Sequence, residues 1–118
     1  MTQAVIVYGV KTCTTVRLHV KLLKEQGYDV TFYDYLSQGV DQDMFKRAIK
    51  QLGWDKVVNL RARNFSSLVE NDKEYLKKLM AEQNHEFDAQ GYDIVCQNPR
   101  IIKRPLVEKN GEFSLNVD

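Results

Sequence analysis

Two short segments rich in strand-forming residues, on either side of an amphipathic segment, constrain the fold of this chain most strongly. Residues 4–8 are nearly all apolar and rich in β-branched side chains, which is typical of a buried strand in a parallel or central position. Apolar residues follow helical spacing over 13–27, where Gly27 is a plausible stop, and residues 29–35 alternate as a second strand. A strand–helix–strand unit favours parallel strands joined by a right-handed crossover. We therefore predict an α/β fold.

The remaining sequence predicts several helices followed by a β-hairpin. Asp41 can cap a helix that ends at Gly53, and Asn110-Gly111 is a strong signal for a two-residue turn between strands. We also predict a turn over 37–40, a short helix over 54–59, a loop over 61–67, a helix starting at Asn71 or Asp72, a polar connection over 82–90 and a helical segment over 92–97. This order is that of a thioredoxin-like fold: one domain over 1–118, with a helical insertion over roughly 41–98.

Composition sets limits on the class of protein. The chain has 118 residues, enough for one domain, and a formal net charge of +1, which gives no general attraction to membranes or nucleic acid. It has no apolar run near the ~20 residues of a membrane helix, and residues 1–8 lack the features of a signal peptide. We therefore expect a cytoplasmic protein that binds neither a membrane nor nucleic acid directly. The scattered cysteines and histidines, two of each, predict no metal site.

Cys13 is the residue that most suggests chemistry. It lies where the first predicted strand has ended and the helix begins, so unpaired backbone N–H groups and the positive end of the helix dipole favour its thiolate. Lys11 and Arg17 flank it and add positive charge. Three threonines can help to hold an anion through hydroxyl and backbone donors: Thr12, Thr14 and Thr15. The alternative is that Cys13 is an inert, buried cysteine.

Five segments resemble the arsenate reductase-like (ArsC/Spx) family. Residues 8–17, YGVKTCTTVR, resemble its active-site loop, Y-G-x-x-x-C-x-T-x-[RK]. The other matches are FYDY at 32–35, QLGW at 51–54, VVNLR at 57–61 and NPRIIKRPLV at 98–107. Because the ordered set spans most of the sequence, the chain is identified as a member of this family. It is most similar to the YffB-like subgroup, regarded as glutathione-dependent thiol reductases.

The resemblance implies roles for residues beyond the cysteine loop. Arg104 matches the arginine that faces the catalytic cysteine, Arg61 matches a second arginine that faces the oxyanion, and Pro105 matches the cis-proline of thioredoxin-like folds. The alternative for the two arginines is an ordinary surface salt bridge, and we expect Arg63 and Arg100 to be solvated. The resemblance also implies a glutathione, small-thiol or oxyanion substrate, no bound cofactor, and glutaredoxin as a further partner.

The sequence departs from the family pattern at several positions. Gly9 stands where arsenate reductases carry histidine, and the segment after Val107 contains no arginine, so arsenate is disfavoured as the substrate. Val16 replaces the second cysteine of the C-x-x-C motif found in Spx regulators. Cys96 is the only other cysteine and therefore the only thiol of this chain that could resolve a disulfide at Cys13. It lies in a predicted apolar helical turn, however, and we expect it to be buried. A mixed disulfide at Cys13 must then be reduced by a thiol from another molecule, most simply glutathione.

Two other functions stay open at this point. Gly53 matches a glycine through which Spx-type regulators contact RNA polymerase, so the chain could bind the α-subunit of that enzyme. The competing explanation for Gly53 is that it ends a helix with a positive φ. A catalytically degenerate member of the family is the third possibility.

Overall fold

The computed structural model describes residues 3–103 and 106–115. Its elements in chain order are β1 (Ala4–Gly9), α1 (Thr14–Glu25), β2 (Asp29–Asp34), α2 (Tyr35–Gln38), α3 (Gln42–Leu52), α4 (Trp54–Val57), α5 (Arg63–Ser66), α6 (Glu70–Ala81), α7 (Ala89–Gln97), a 3₁₀ turn (Pro99–Ile101), β3 (Leu106–Lys109) and β4 (Glu112–Ser114). None of the helices in these ranges has the length and hydrophobicity needed to cross a membrane.

The described residues form two compact units. The first contains residues 3–38 and 106–115, and the second is Gly39–Lys103. The first unit is therefore the strand–helix–strand segment with the C-terminal hairpin, and the second contains most of the helices. The prediction of one domain over residues 1–118 stays a prediction.

The first unit contains a four-stranded sheet in the order β2-β1-β3-β4. β1 and β2 are parallel, with Ala4 opposite Asp29, and β1 pairs antiparallel with β3 on its other side. The β3–β4 turn has positive φ at both central residues, 52° at Asn110 and 80° at Gly111, as a two-residue hairpin turn requires. The parallel pair, the central position of β1 and the hairpin are all confirmed.

Helix α1 packs one face on this sheet. Val16 and Leu23 are fully buried with Val5, Val7 and Val107, and the spacing of the two helical residues is that of one helix face. The helix ends as predicted near Gly27, whose φ is 92°. The N–H groups of Gly27 and Tyr28 donate to the carbonyls of Lys24 and Leu23, both at 3.1 Å, so the last turn is capped by the backbone.

The second unit is built around Trp54. Its side chain is fully buried, its ring lies 5.3 Å from that of Phe45, and its indole N–H donates to the Glu86 carbonyl at 2.9 Å. The predicted cap of α3 is confirmed, because the Asp41 carboxylate accepts from the Met44 N–H at 2.9 Å. The helix ends at Gly53, as predicted.

Several predicted element boundaries are wrong; α7, for example, starts at Ala89, within the predicted polar connection over 82–90. β2 stops at Asp34, whose carboxylate accepts from the Leu36 N–H at 3.0 Å and starts the short helix α2 where part of a turn was predicted. The predicted loop over 61–67 contains α5, closed by the Ser66 hydroxyl donating to the Arg63 carbonyl at 2.7 Å. Helix α6 starts at Glu70 with Val69 at the N-cap and no side-chain cap, rather than at a capping Asn71 or Asp72.

Candidate active site

Cys13 occupies the N-cap of α1. Its backbone is extended, with φ −79° and ψ 118°, and its carbonyl accepts the first helical hydrogen bond from the Arg17 N–H at 3.1 Å. Its own N–H donates to the Val10 carbonyl at 2.9 Å, which closes the loop after β1. The half-buried side chain packs against the core and makes no capping hydrogen bond. The thiol therefore lies at the helix N-terminus that the sequence predicted.

Two basic side chains flank this N-cap in the sequence. The first turn of α1 contains no acidic residue. Lys11 and Arg17 are exposed, and neither has an ion-pair partner within residues 3–103 and 106–115. The threonines expected to help bind an anion are also exposed on this loop and first turn: Thr12, Thr14 and Thr15. Six of the predicted site residues are thus brought together on one short segment.

Close packing explains why glycine precedes the loop. A Cβ built on Gly9 would lie 2.7 Å from a Val16 methyl carbon, which is closer than real Cβ contacts. A larger residue at this position, including the histidine of arsenate reductases, would require Val16 to move. The departure from the arsenate reductase pattern therefore matches the local packing of loop and helix.

An apolar groove next to this segment was not predicted from the sequence. Its volume is about 170 Å³, and its lining residues are Lys11, Val16, Arg17, Val20 and Phe32. The residues come from the loop, from α1 and from β2, so the groove exists only once the helix has packed beside the second strand. Alternation in residues 29–35 was the one sequence signal that placed Phe32 on a particular face.

Arg61 belongs to the second unit, where it lines a larger cavity. The cavity has a volume of about 510 Å³ and is lined by Asp55, Val58, Asn59, Leu60, Arg61, Met80 and Lys103. Arg61 is exposed and Lys103 half-buried, so two cations and one carboxylate contribute to the lining. Lys103 was not among the predicted site residues, although it lies within the motif at 98–107.

Backbone hydrogen bonds fix the segments that carry these two cations. The Asn59 side-chain oxygen accepts from the Arg61 N–H at 3.0 Å, which forms a local turn. The Asn59 N–H donates to the Ile101 carbonyl, and the Lys103 N–H donates to the Val57 carbonyl, both at 2.7 Å. The two motif segments at 57–61 and 98–107 are thus joined directly.

Two predicted site residues lie outside the described residues, and one prediction is wrong. Arg104 and Pro105 are outside the described ranges, so their roles stay predictions. Cys96 is exposed rather than buried. Gly91, Ile94 and Val95 form the buried face of α7, and the helical rotation of 100° per residue carries the next position away from it. Burial therefore does not exclude Cys96 as a thiol that could reduce a mixed disulfide at Cys13.

The two arginines that were expected to be solvated differ in exposure. Arg63 is exposed, as expected, whereas Arg100 is half-buried. His19 is also half-buried, with its Nδ1 2.8 Å from the Thr15 carbonyl oxygen. Within the part of the chain that the structure describes, no cluster of three or more His, Cys, Asp or Glu side chains could hold a metal ion.

Comparison with known proteins identifies the family. The sequence is 32% identical over 108 residues to an uncharacterized protein of Haemophilus influenzae, covering 92% of this chain and 86% of that protein. The fold matches the solved structure of the YffB protein with a TM-score of 0.77 and 26% identity, covering 97% of this chain and 91% of that one. It also matches an arsenate reductase (ArsC) related protein from Brucella melitensis, with a TM-score of 0.70, 25% identity and coverage of 100% and 90%. The chain belongs to the arsenate reductase-like (ArsC) family.

This ArsC-family chain therefore has the thioredoxin-like α/β fold that its sequence predicted, with the YffB protein among its structural relatives. A search against family models found no match. The arsenate reductase-like fold is compatible with a thiol-based reductase.

Proposed function

We propose that this protein is a cytoplasmic, glutathione-linked thiol–disulfide reductase of the ArsC family, with Cys13 as its nucleophile. The observation that carries the proposal is the position of Cys13 at the N-cap of α1, with no acidic residue in the first helical turn. Unpaired N–H groups and the helix dipole favour negative charge at this place. The thiolate is the form of cysteine that attacks disulfides.

The proposed reaction has three thiol exchanges. The Cys13 thiolate attacks one sulfur of a disulfide, a bond forms between the two sulfurs, the original S–S bond breaks, and the other half leaves as a thiolate with the bonding electrons. A glutathione thiolate then attacks the mixed disulfide at the sulfur of the substrate half, which releases Cys13 as a thiolate and leaves that half bonded to glutathione. A second glutathione thiolate attacks the glutathione sulfur of this new disulfide, and the substrate half leaves as a thiolate. The substrate disulfide is reduced, and two glutathione molecules are oxidised to the disulfide. Glutaredoxin could replace glutathione in the second exchange.

Anion binding is the role we propose for the arginines. Arg61 would bind a carboxylate of glutathione or another anionic group in its cavity, with Lys103 as a second cation. The planar guanidinium suits this role because it stays charged and can donate two parallel hydrogen bonds. We propose that Arg104 faces the thiolate and that Pro105 presents backbone to an extended thiol substrate, as the resemblance implies.

The kinetic experiment measures glutathione-dependent reduction of hydroxyethyl disulfide with purified protein. We expect Cys13→Ser to abolish turnover and Cys96→Ala to retain it, because glutathione rather than Cys96 resolves the mixed disulfide in this proposal. Arg61→Ala should raise KM for glutathione more than it lowers kcat. Arg63→Ala is the matched control, since Arg63 is exposed and does not line the cavity.

A reactivity experiment tests the nucleophile directly. Iodoacetamide at pH 7 should alkylate Cys13 in the Cys96→Ala protein faster than it alkylates Cys96 in the Cys13→Ser protein, although Cys96 is the more exposed thiol. Glutathione disulfide should form a mixed disulfide at Cys13, which mass spectrometry detects. Slower alkylation of Cys13 than of Cys96, together with no mixed disulfide, would refute the proposal.

The regulator alternative has less support from the packing around Gly53. A Cβ at Gly53 would lie 2.9 Å from His85 Nε2 and 3.0 Å from an Asp55 carboxylate oxygen, so neighbouring side chains occupy the space beside this glycine. Its φ of 88° fits the role of ending α3. The regulator hypothesis predicts that this protein binds the carboxy-terminal domain of the RNA polymerase α-subunit without needing Cys13, which a pull-down with the Cys13→Ser protein tests.

A further inference from the structure

The apolar groove in the first unit lies directly beside the Cys13 segment. Lys11 precedes Cys13 by two residues, and the Arg17 N–H donates to the Cys13 carbonyl at 3.1 Å, so both rim residues of the groove are tied to the cysteine loop. Cys13 packs against the same core as Val16, which forms part of the groove wall. Cys13 itself does not line the groove, but it packs on the same core cluster as Val20 and Phe32, so a group held in the groove would lie beside the cysteine segment.

The wall and the rim of the groove differ in chemistry. Val16, Val20 and Phe32 supply an apolar wall, whereas Lys11 and Arg17 supply positive charge. Neither cation is paired within residues 3–103 and 106–115. A ligand that satisfies both parts needs an apolar group to fill the groove and an anionic group to meet the cations.

The volume of the groove limits the size of the apolar group. A cavity of about 150 Å³ lined by aliphatic and aromatic side chains binds one benzene molecule. The groove, at about 170 Å³, fits a single aromatic ring or a branched aliphatic group of similar size. It is too small for a drug-sized ligand, which typically occupies about 300 Å³ or more.

We infer that this groove is the subsite for the organic half of the disulfide that Cys13 attacks, and that this half is an anionic thiol carrying a ring-sized apolar group. The inference rests on the proposed function and names its substrate class. In the exchange, Cys13 Sγ bonds to the sulfur of the ring-bearing half while the disulfide bond breaks. The other half leaves as a thiolate with the bonding electrons.

A binding experiment tests the groove without the chemistry of Cys13. The Cys13→Ser protein is titrated with nitrobenzoate, and the NMR signals of the Val20 methyls and the Phe32 ring are followed. Both sets of signals should shift and saturate, whereas propionate should shift them far less at equal concentration. Arg17→Gln should weaken nitrobenzoate binding up to about fivefold, since an exposed ion pair contributes ~0.2–1 kcal/mol. Lys24→Gln, on the same helix but not in the groove, should leave binding unchanged.

A kinetic experiment then tests substrate class in the Cys96→Ala protein. Four disulfides are compared: those of thionitrobenzoate (ring and anion), thiopyridine (ring, neutral), thiopropionate (aliphatic anion) and mercaptoethanol (aliphatic, neutral). Each rate is divided by the rate of Cys96 in the Cys13→Ser protein, which corrects for intrinsic reactivity. The ring should raise the corrected rate about tenfold, for ~60 Å² of apolar surface buried. Arg17→Gln should slow the two anionic disulfides more than the two neutral ones, because losing the charge beside the thiolate affects all four disulfides alike.

The outcomes separate this inference from the proposed function. No shift of the Val20 and Phe32 signals, or equal corrected rates for ring-bearing and aliphatic disulfides, would overturn the groove as a subsite. Equal slowing of neutral and anionic disulfides by Arg17→Gln would overturn the anionic part. If nitrobenzoate binds the groove but Cys13 reacts with none of the four disulfides, the proposed function fails while the binding site stands.

Discussion

Removing the buried hydroxyl of Tyr35 should stabilise the protein, although most substitutions in a core destabilise it. The side chain of Tyr35 is only 1% exposed, and within the described residues its hydroxyl has no hydrogen-bond partner. The ring packs among tyrosines, with centroids 6.2 Å from Tyr8 and 6.1 Å from Tyr33. Tyr35→Phe removes the hydroxyl and keeps the ring, so it tests the cost of burying that group alone.

The magnitude follows from the unsatisfied hydroxyl. Leaving a buried polar group without a partner costs about 1–3 kcal/mol, and removing the hydroxyl recovers this cost. The small void that the substitution leaves reduces the gain. We therefore expect Tyr35→Phe to raise the free energy of unfolding by about 1 kcal/mol. The matched control is Tyr8→Phe, because the Tyr8 hydroxyl donates to a Glu108 carboxylate oxygen at 2.7 Å. Losing that bond should lower the free energy of unfolding by about 1.5–3 kcal/mol.

The same hydroxyl predicts a pH dependence. Burial, followed by the neighbouring Tyr8 and Tyr33 hydroxyls, raises the pKa of Tyr35 well above its ordinary value. In the unfolded chain Tyr35 loses its proton near pH ~10, while the folded state keeps it. Stability is therefore unaffected below that pH and falls by about 1.4 kcal/mol per pH unit above it, until the folded-state pKa is reached. Tyr35→Phe should abolish this part of the slope.

Urea unfolding followed by far-ultraviolet circular dichroism, at pH 7 and again above pH 10, measures both effects. The advantage of Tyr35→Phe over the wild-type protein should be larger at the higher pH. If Tyr35→Phe is as destabilising as Tyr8→Phe, the hydroxyl has a hydrogen-bond partner in solution and the reasoning is refuted. An unchanged alkaline slope would refute the assignment of that slope to Tyr35.

Three further substitutions have expected outcomes measurable by urea unfolding. Gly91→Ala should lower the free energy of unfolding by about 1–3 kcal/mol, because a Cβ would lie 2.7 Å from Trp54 and this overpacking outweighs the ~1 kcal/mol gain in helix propensity. An unchanged free energy of unfolding would contradict this prediction. Asp88→Ala should cost about 1–2 kcal/mol, since the carboxylate caps α7 and accepts a tyrosine hydroxyl; Asp88→Asn should recover part of this loss. Gly9→Ala should destabilise, and a double-mutant cycle with Val16→Ala should show favourable coupling; simple additivity would count against the close contact.

Local chemistry explains which parts of the fold could be predicted from the sequence. The Asn110-Gly111 turn, the Asp41 cap and the position of Cys13 depend on residues within a few positions, and the structure has all three. Helix α2 and the exposed side of Cys96 were missed. The first depends on a side-chain hydrogen bond that competes with strand extension, and the second on which face of α7 is buried.

The candidate site also has one part that the sequence predicted and other parts that only folding assembles. The cluster around Cys13 is contiguous in sequence, so its spacing alone placed it at a helix start. The groove combines Lys11 with Phe32, and the cavity combines Arg61 with Lys103, across segments that only folding brings together. No period or motif encodes such combinations, because they depend on how elements pack rather than on spacing along one element.

The contact between Gly9 and Val16 also has an evolutionary consequence. A lineage that acquired histidine before the cysteine loop in this background would first produce a destabilised intermediate, because the new side chain meets the valine methyls. A lineage that first shortened Val16 would open space at the cost of core packing and could then accept the histidine. The order of two substitutions, rather than their chemistry alone, would therefore decide whether an arsenate reductase-type loop is reachable from this sequence.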